Sequence, residues 1–190
     1  MAASSQDVVN EALVLIGYDG FPISAPGPNF DSSVPGQIAQ RTYPYAVAAV
    51  GRLTAWSFPR TVAALAVTGN VAPFPWAYEF GFPANCIDVW QLAPTSLADP
   101  NNPVPVTWAR GVAVVAAVQS SVLWTNLSPA LAIFNGNPVE AVWDPLFRET
   151  VVRYLAAEFA VAGLGKPDLA AMYAEQWRGL IGPAMERTDQ

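Results

Sequence analysis

No apolar stretch in this sequence reaches the roughly 20 residues that a helix needs to cross hydrocarbon; Pro, Gly, Asp, Arg or Asn breaks each one first. Even the uncharged tract from Gly111 to the next charge at Glu140 is interrupted by Ser120, Ser121, Asn126, Pro129 and Asn135, so it reads as short strands and turns. A fold of short packed elements is expected, with no membrane partner. The apolar surplus must then be hidden in another way. Of the 190 residues 53% are hydrophobic and only 13% charged, about half the usual charged share. A chain of this kind is expected to bury its excess against neighbouring subunits.

Charge and residue choice narrow the function classes. Nine Lys plus Arg against fifteen Asp plus Glu leave a net charge of −6, which repels phosphate and argues against tight or sequence-reading nucleic-acid binding. The same balance is compatible with a passage through which DNA slides. The sequence contains no His, which removes the usual general base, the Ser-His and Cys-His pairs and most zinc sites. Cys86 is the single cysteine, so an internal disulfide and a multi-cysteine metal site are excluded, and a small buried apolar role is its ordinary one. Lys166 is the only lysine, no Gly-rich phosphate loop occurs, and Glu149 with Arg153 is a four-residue helix pair. The expectation is a non-enzymatic protein without cofactor or metal. Asp7 and Glu11 precede the apolar cluster Leu13 to Ile16, so no secretory leader is read there and synthesis in the cytoplasm is expected.

Apolar spacings of three and four predict a helix over Ser4 to Ile16 ending at Gly17, and a second over Pro35 to Trp56 that Pro44 should kink or split. The intervening Pro-, Gly-, Ser- and Asn-rich segment from Gly20 to Pro35 reads as an extended loop, exposed or draped over a partner. After Pro59 the pattern turns to strands: Thr61 to Val67, an aromatic alternation from Trp76 to Phe82, then Cys86 to Leu92, Val104 to Trp108, Val112 to Val118, Ser121 to Thr125 and Ala130 to Phe134. Asp144 with Pro145 opens a helix that Gly163 and Gly165 end, and a last helix starts at Pro167-Asp168 and is interrupted at Gly182-Pro183. The expected fold is α+β: one domain over 1–190, an antiparallel bundle of N- and C-terminal helices (4–58 and 143–185) with a small antiparallel sheet inserted (60–136).

Three stretches, in order, resemble the head-to-tail connector family of tailed bacteriophages, the tail tubular protein A type. Ala12-Leu13-Val14-Leu15-Ile16-Gly17 and the helix leading to Trp56-Ser57-Phe58-Pro59-Arg60 are similar to the family's first helix and its aromatic-Arg turn. Trp76 to Phe82 running into Pro83-Ala84-Asn85-Cys86-Ile87-Asp88-Val89 resembles its aromatic strand, Pro-x-acid-Cys turn and following strand. Trp143-Asp144-Pro145-Leu146-Phe147-Arg148-Glu149 is similar to its Phe-Asp-Pro-Leu-Phe helix start. Asn85 in place of an acid, the Phe58-Pro59 step and Pro44 are departures.

The resemblance implies a structural virion protein of the tail or neck. It implies a dodecameric ring of identical subunits under the portal, extending the DNA channel, helping retain the genome until ejection and presenting its other face to a tail or nozzle protein. Trp56, Arg60, Pro83, Cys86, Trp143, Asp144 and Pro145 are the residues that carry the family motifs. The family's C-terminal helix often reaches the portal, which makes Trp177, Leu180, Ile181 and Met185 candidate docking residues; packing of the helical core is their other reading. A competing function is a binding module that uses an aromatic sheet face, with Trp76, Trp90, Trp108 or Trp124, for a ligand or glycan.

Overall fold

A computed structural model describes residues 4–53, 56, 58–95 and 106–188, with side chains to residue 182. The described residues form four α-helices and two small antiparallel three-stranded sheets, an α+β composition. The chain divides into two compact units, 1–58 with 138–190, and 59–137.

The first unit is helical. Helix α1 (Ser5–Leu15) starts with a reciprocal capping box: the Ser4 hydroxyl accepts from the Asp7 amide while the Asp7 carboxylate accepts from the Ser4 amide, satisfying two of the amides that every helix start leaves unpaired. It buries Val8, Val9, Ala12 and Leu13. Helix α2 (Val34–Leu53) is capped by Ser33, whose Oγ accepts from the Gly36 amide at 3.1 Å. It runs unbroken through Pro44 to Leu53, and residues 54 and 55 of the predicted helix lie outside the described ones. Pro44 lies on an exposed face and leaves the Gln40 carbonyl without its helical donor, a local cost that does not split the helix.

Helix α3 (Pro145–Ala162) is capped by Asp144, whose Oδ1 accepts from the Leu146 amide at 2.8 Å. It stops at Gly163, with Gly165 at φ +62° just beyond. Helix α4 (Pro167–Thr188) continues through Gly182-Pro183, where the sequence predicts an interruption; like Pro44, Pro183 removes one backbone donor without ending the helix. The Tyr173 hydroxyl donates to the Leu15 carbonyl and ties α4 to α1.

The segment 20–35 is no free arm. Ile23 and Phe30 are buried in the helical core. Asn10 of α1 binds both backbone groups of Ile23, at 2.8 and 3.0 Å, and Gln6 adds a third bond to its carbonyl. The Gly27 amide donates to Ser5 Oγ at 2.8 Å. Asp31 closes the loop on itself by accepting from the Ser24 amide at 2.6 Å and from Ser33. Those bonds, the Ser24 amide first, hold its carboxyl down to about 2.

The second unit carries all six described strands. One sheet has the order β1 (Arg60–Ala64), β6 (Ala130–Gly136), β3 (Cys86–Pro94); the other has β2 (Tyr78–Gly81), β5 (Val118–Thr125), β4 (Trp108–Val115). The sequence predicts one small sheet here. Two form because buried side chains of both, Phe80 and Leu123 on one, Val89, Leu92, Ala132 and Phe134 on the other, close a common core, the sandwich solution to one-sided burial. The run that starts as β1 serves both: Leu65 donates to the Ala130 carbonyl, and the Ala66 carbonyl accepts from Gly81. Arg110 of β4 reaches Asp88 of β3 at 3.7 Å and lies 4.5 Å above the Phe82 ring, a second tie between the sheets.

The predicted strand Val104 to Trp108 is not separate. Trp108 begins β4, while residues 104 and 105 lie outside the described ones. The break predicted between Val118 and Ser121 is not there, since 119 and 120 lie within β5; the chain turns earlier, in a two-residue hairpin turn at Ala116 and Ala117 with φ +50° and +66°.

Candidate functional site

The sequence-predicted residues fall into three groups. Trp56, Trp143, Asp144 and Pro145 come together in the helical unit. The buried Trp56 donates from Nε1 to the Val50 carbonyl at 2.9 Å, and its ring meets Phe147 edge-on at 5.0 Å. Phe147 also takes the edges of Phe58 at 5.1 Å and Trp143 at 4.9 Å. Trp143 stacks on Tyr43 at 6.4 Å, and Tyr43 meets Phe30 at 5.6 Å. Asp144 and Pro145 fix the start of the helix that carries Phe147 two residues on. Offset and edge-on aromatic pairs add roughly 0.5–1.5 kcal/mol each beyond area burial, so this chain of rings from Phe30 to Phe58 is a rigid centre. Burial, with the bond Tyr43 donates to Glu140 Oε1 at 2.6 Å, pushes the Tyr43 phenol far above its ordinary range and keeps it neutral.

Arg60, Pro83 and Cys86 belong to the strand unit and are not gathered into one site there. Arg60 is exposed at the start of β1 opposite Asn135. Pro83 is half-buried before β3, and Cys86, half-buried, begins β3 against the sandwich core. Asn85 between them has φ +56° and its carbonyl accepts from the Asn137 amide at 2.9 Å. Asn tolerates the left-handed region better than most non-glycine residues, which suits it to this turn.

Trp177, Leu180 and Ile181 are half-buried along the second half of α4. Trp177 leans on Tyr154 of α3 at 5.4 Å, and Arg178 lies over its ring at 5.2 Å. Met185 lies in α4, but its side chain is outside the described ones. Of the four candidate docking residues, Trp177 therefore has a packing partner within the chain.

Sequence reasoning missed a polar hub on β2. Glu79 is 4% exposed, and covered by its immediate neighbours rather than deep in the protein. Its Oε1 accepts from Thr68 Oγ1 at 2.7 Å and Asn70 Nδ2 at 2.8 Å; its Oε2 accepts from Trp124 Nε1 at 2.9 Å. Burial raises the carboxyl, and the bonds from Trp124, Thr68 and Asn70 outweigh it, leaving the group below the usual glutamate range. Trp124 lies over Gly111, where a Cβ would come within 2.0 Å of the ring. Its indole N–H and one face are thus committed inside the unit. The signal was present in register only: Glu79 and Trp124 are directly opposed across β2 and β5, which pairing reveals and composition does not.

An open groove of about 460 Å³ lies in the helical unit, lined among others by Glu11, Glu140, Trp143, Arg148, Glu149 and Arg153. Its charged groups already have partners. Arg148 Nη2 meets Glu11 at 2.7 Å, Arg153 meets Glu149 and donates to Gln176 at 2.6 Å, and Glu140 receives Tyr43. Among the described residues no three of Cys, Asp and Glu stand together as a metal site requires, and no helix is long and apolar enough to cross a membrane. What the described side chains concentrate is packing surface: a ring cluster, a half-covered helix end and a charge-poor sandwich. No family model matches the chain, and no curated protein matches it either.

Proposed function

We propose that this chain is a head-to-tail adaptor of a tailed bacteriophage: a structural, non-enzymatic virion protein that forms a ring under the portal, extends the DNA channel and links the head to a tail or nozzle protein. In this reading the helices form an antiparallel bundle into which the strand unit is inserted. The observation that carries the proposal is the ordered set of three motif stretches, the first and third of which supply Trp56, Phe58, Trp143 and Phe147 to one aromatic cluster. Residues that separate in sequence by some 90 positions and resemble the family at both ends are mutually packed.

Charge supports the same reading. A channel for DNA must not hold phosphate, and a net charge of −6 lowers the affinity of any surface for it. The partners are further copies of the chain, the portal and a tail or nozzle protein, with DNA passing without sequence-specific contact. Portal docking falls to the α4 end through Trp177, Leu180, Ile181 and Met185.

Co-sedimentation with purified portal rings tests this. The chain should pellet with the portal in near-equal subunit stoichiometry, and Trp177→Ala with Leu180→Ser should reduce the bound fraction severalfold. A chain that stays in the supernatant with every portal offered contradicts the proposal.

A further inference from the structure

The β4–β5 hairpin outruns the core that its sheet covers. On β4 the side chains alternate, and Arg110, Val112 and Val114 share the face that Leu123 of β5 turns into the sandwich core. Leu123 is fully buried, whereas Val112 is 58% and Val114 63% exposed; Val118, paired with Val115 and so on the opposite face of the hairpin, is 62% exposed. Valines therefore stand exposed on both faces of the hairpin past the end of the core, with Ser121 and Gln119 beside Val112 and Val114 on the core-side face. On the other side, Asn70 bonds the Val114 carbonyl at 3.1 Å and Glu79 at 2.8 Å. The hub thus anchors the loop whose Val71 and Phe74 are 95% and 97% exposed.

No formal charge occurs between Arg110 and Glu140. Among the described residues β4 pairs only with β5 and stands at the edge of its sheet. Natural edge strands are usually blunted by lysines, other charges or prolines, and β4 from Gly111 to Val115 has none of these. Five of the chain's charged residues, Arg60, Glu79, Asp88, Asp99 and Arg110, fall in 59–137, giving that unit a net −1 and the remainder −5. Two copies of an acidic chain repel through most of their surface, and the repulsion is least where charge is absent. A basic partner would select the acidic remainder instead.

We infer that the β4–β5 hairpin is the arm by which one copy of this chain grips a neighbouring copy, its uncharged apolar tip and edge covered in the assembly. The inference rests on the ring reading only in taking a second copy as occupant; it adds which surface makes the contact. Apolar burial between like-charged copies should tighten as salt screens their repulsion, whereas a contact made by ion pairs would loosen.

Sedimentation velocity of the full chain over a range of concentrations and NaCl tests this, comparing the wild type with Val112→Glu/Val114→Glu and with Val118→Lys. All three positions are exposed, and far-UV circular dichroism checks that the variants keep the fold. The wild type should self-associate more strongly as NaCl rises, and each variant should weaken association roughly tenfold or more. Association of equal strength in both folded variants overturns the arm and leaves the ring reading standing. A wild type that is monomeric under every condition overturns the inference, and the ring reading is then decided by its own test with portal rings. A monomer that instead binds phosphatidylcholine vesicles, with binding lost in the variants, assigns the surface to lipid and likewise overturns the inference.

Discussion

Replacing Glu79 with glutamine exchanges an acceptor oxygen for an amide donor in a place where Thr68, Asn70 and Trp124 all donate. At least one donor then loses its partner in a covered position, which costs about 1–3 kcal/mol. Glu79→Gln should lower the denaturation midpoint of the strand unit by that amount, read from Trp fluorescence in urea; an unchanged midpoint would mean that the hub contributes nothing to stability. Asp31 makes a prediction in pH. Its folded carboxyl is held down to about 2 from an ordinary 3.8, so its contribution is fully present above the ordinary value and is lost as pH falls through the folded one. Stability should decline between about pH 4 and pH 2, and Asp31→Asn should flatten that part of the curve while lowering stability at neutral pH. Equal slopes for both proteins would contradict the staple. Neither residue could be singled out from sequence, since a lone Glu in an aromatic strand and a lone Asp in a polar loop gain their roles from neighbours 9 to 45 and 2 to 7 positions away.

Helix starts were legible where the chemistry is local. Asp144 with Pro145 forms the cap its letters suggest, and Ser4, where the first predicted helix begins, caps α1. Pro183 misled, and Pro44 does not split its helix, because spacing shows where a proline stands but not that a long helix can lose one hydrogen bond and continue. Pro44→Ala restores a donor to the Gln40 carbonyl on an exposed helix face and should stabilise the helical unit by about 1–3 kcal/mol in thermal or urea unfolding; a loss of stability would show that Pro44 is needed. The hairpin turn was invisible for the opposite reason. Ala116-Ala117 carries no turn signal, yet both residues have positive φ, where type I′ turns favour Asn-Gly. Ala116→Asn with Ala117→Gly should therefore raise the unfolding midpoint of the strand unit, by about 1–2 kcal/mol. A decrease would mean that the turn is not of this type.

At the scale of the chain, the switch from helical to strand periodicity after Pro59 and back before Asp144 was readable from apolar spacing. The number of sheets was not, because alternation says which side chains share a face and is silent on which strands pair. The aromatic motif residues were legible singly. Their convergence on Phe147 depends on α2 and α3 packing together, a long-range contact that no local pattern encodes. The adaptor proposal gathers these features into one claim, that the protein works as many copies joined to a portal. Mass photometry of the purified chain, alone and mixed with portal rings, addresses that claim directly. The account predicts a ring-sized mass, or a monomer that joins the portal in near-equal stoichiometry; a stable monomer indifferent to portal and tail components alike would contradict it.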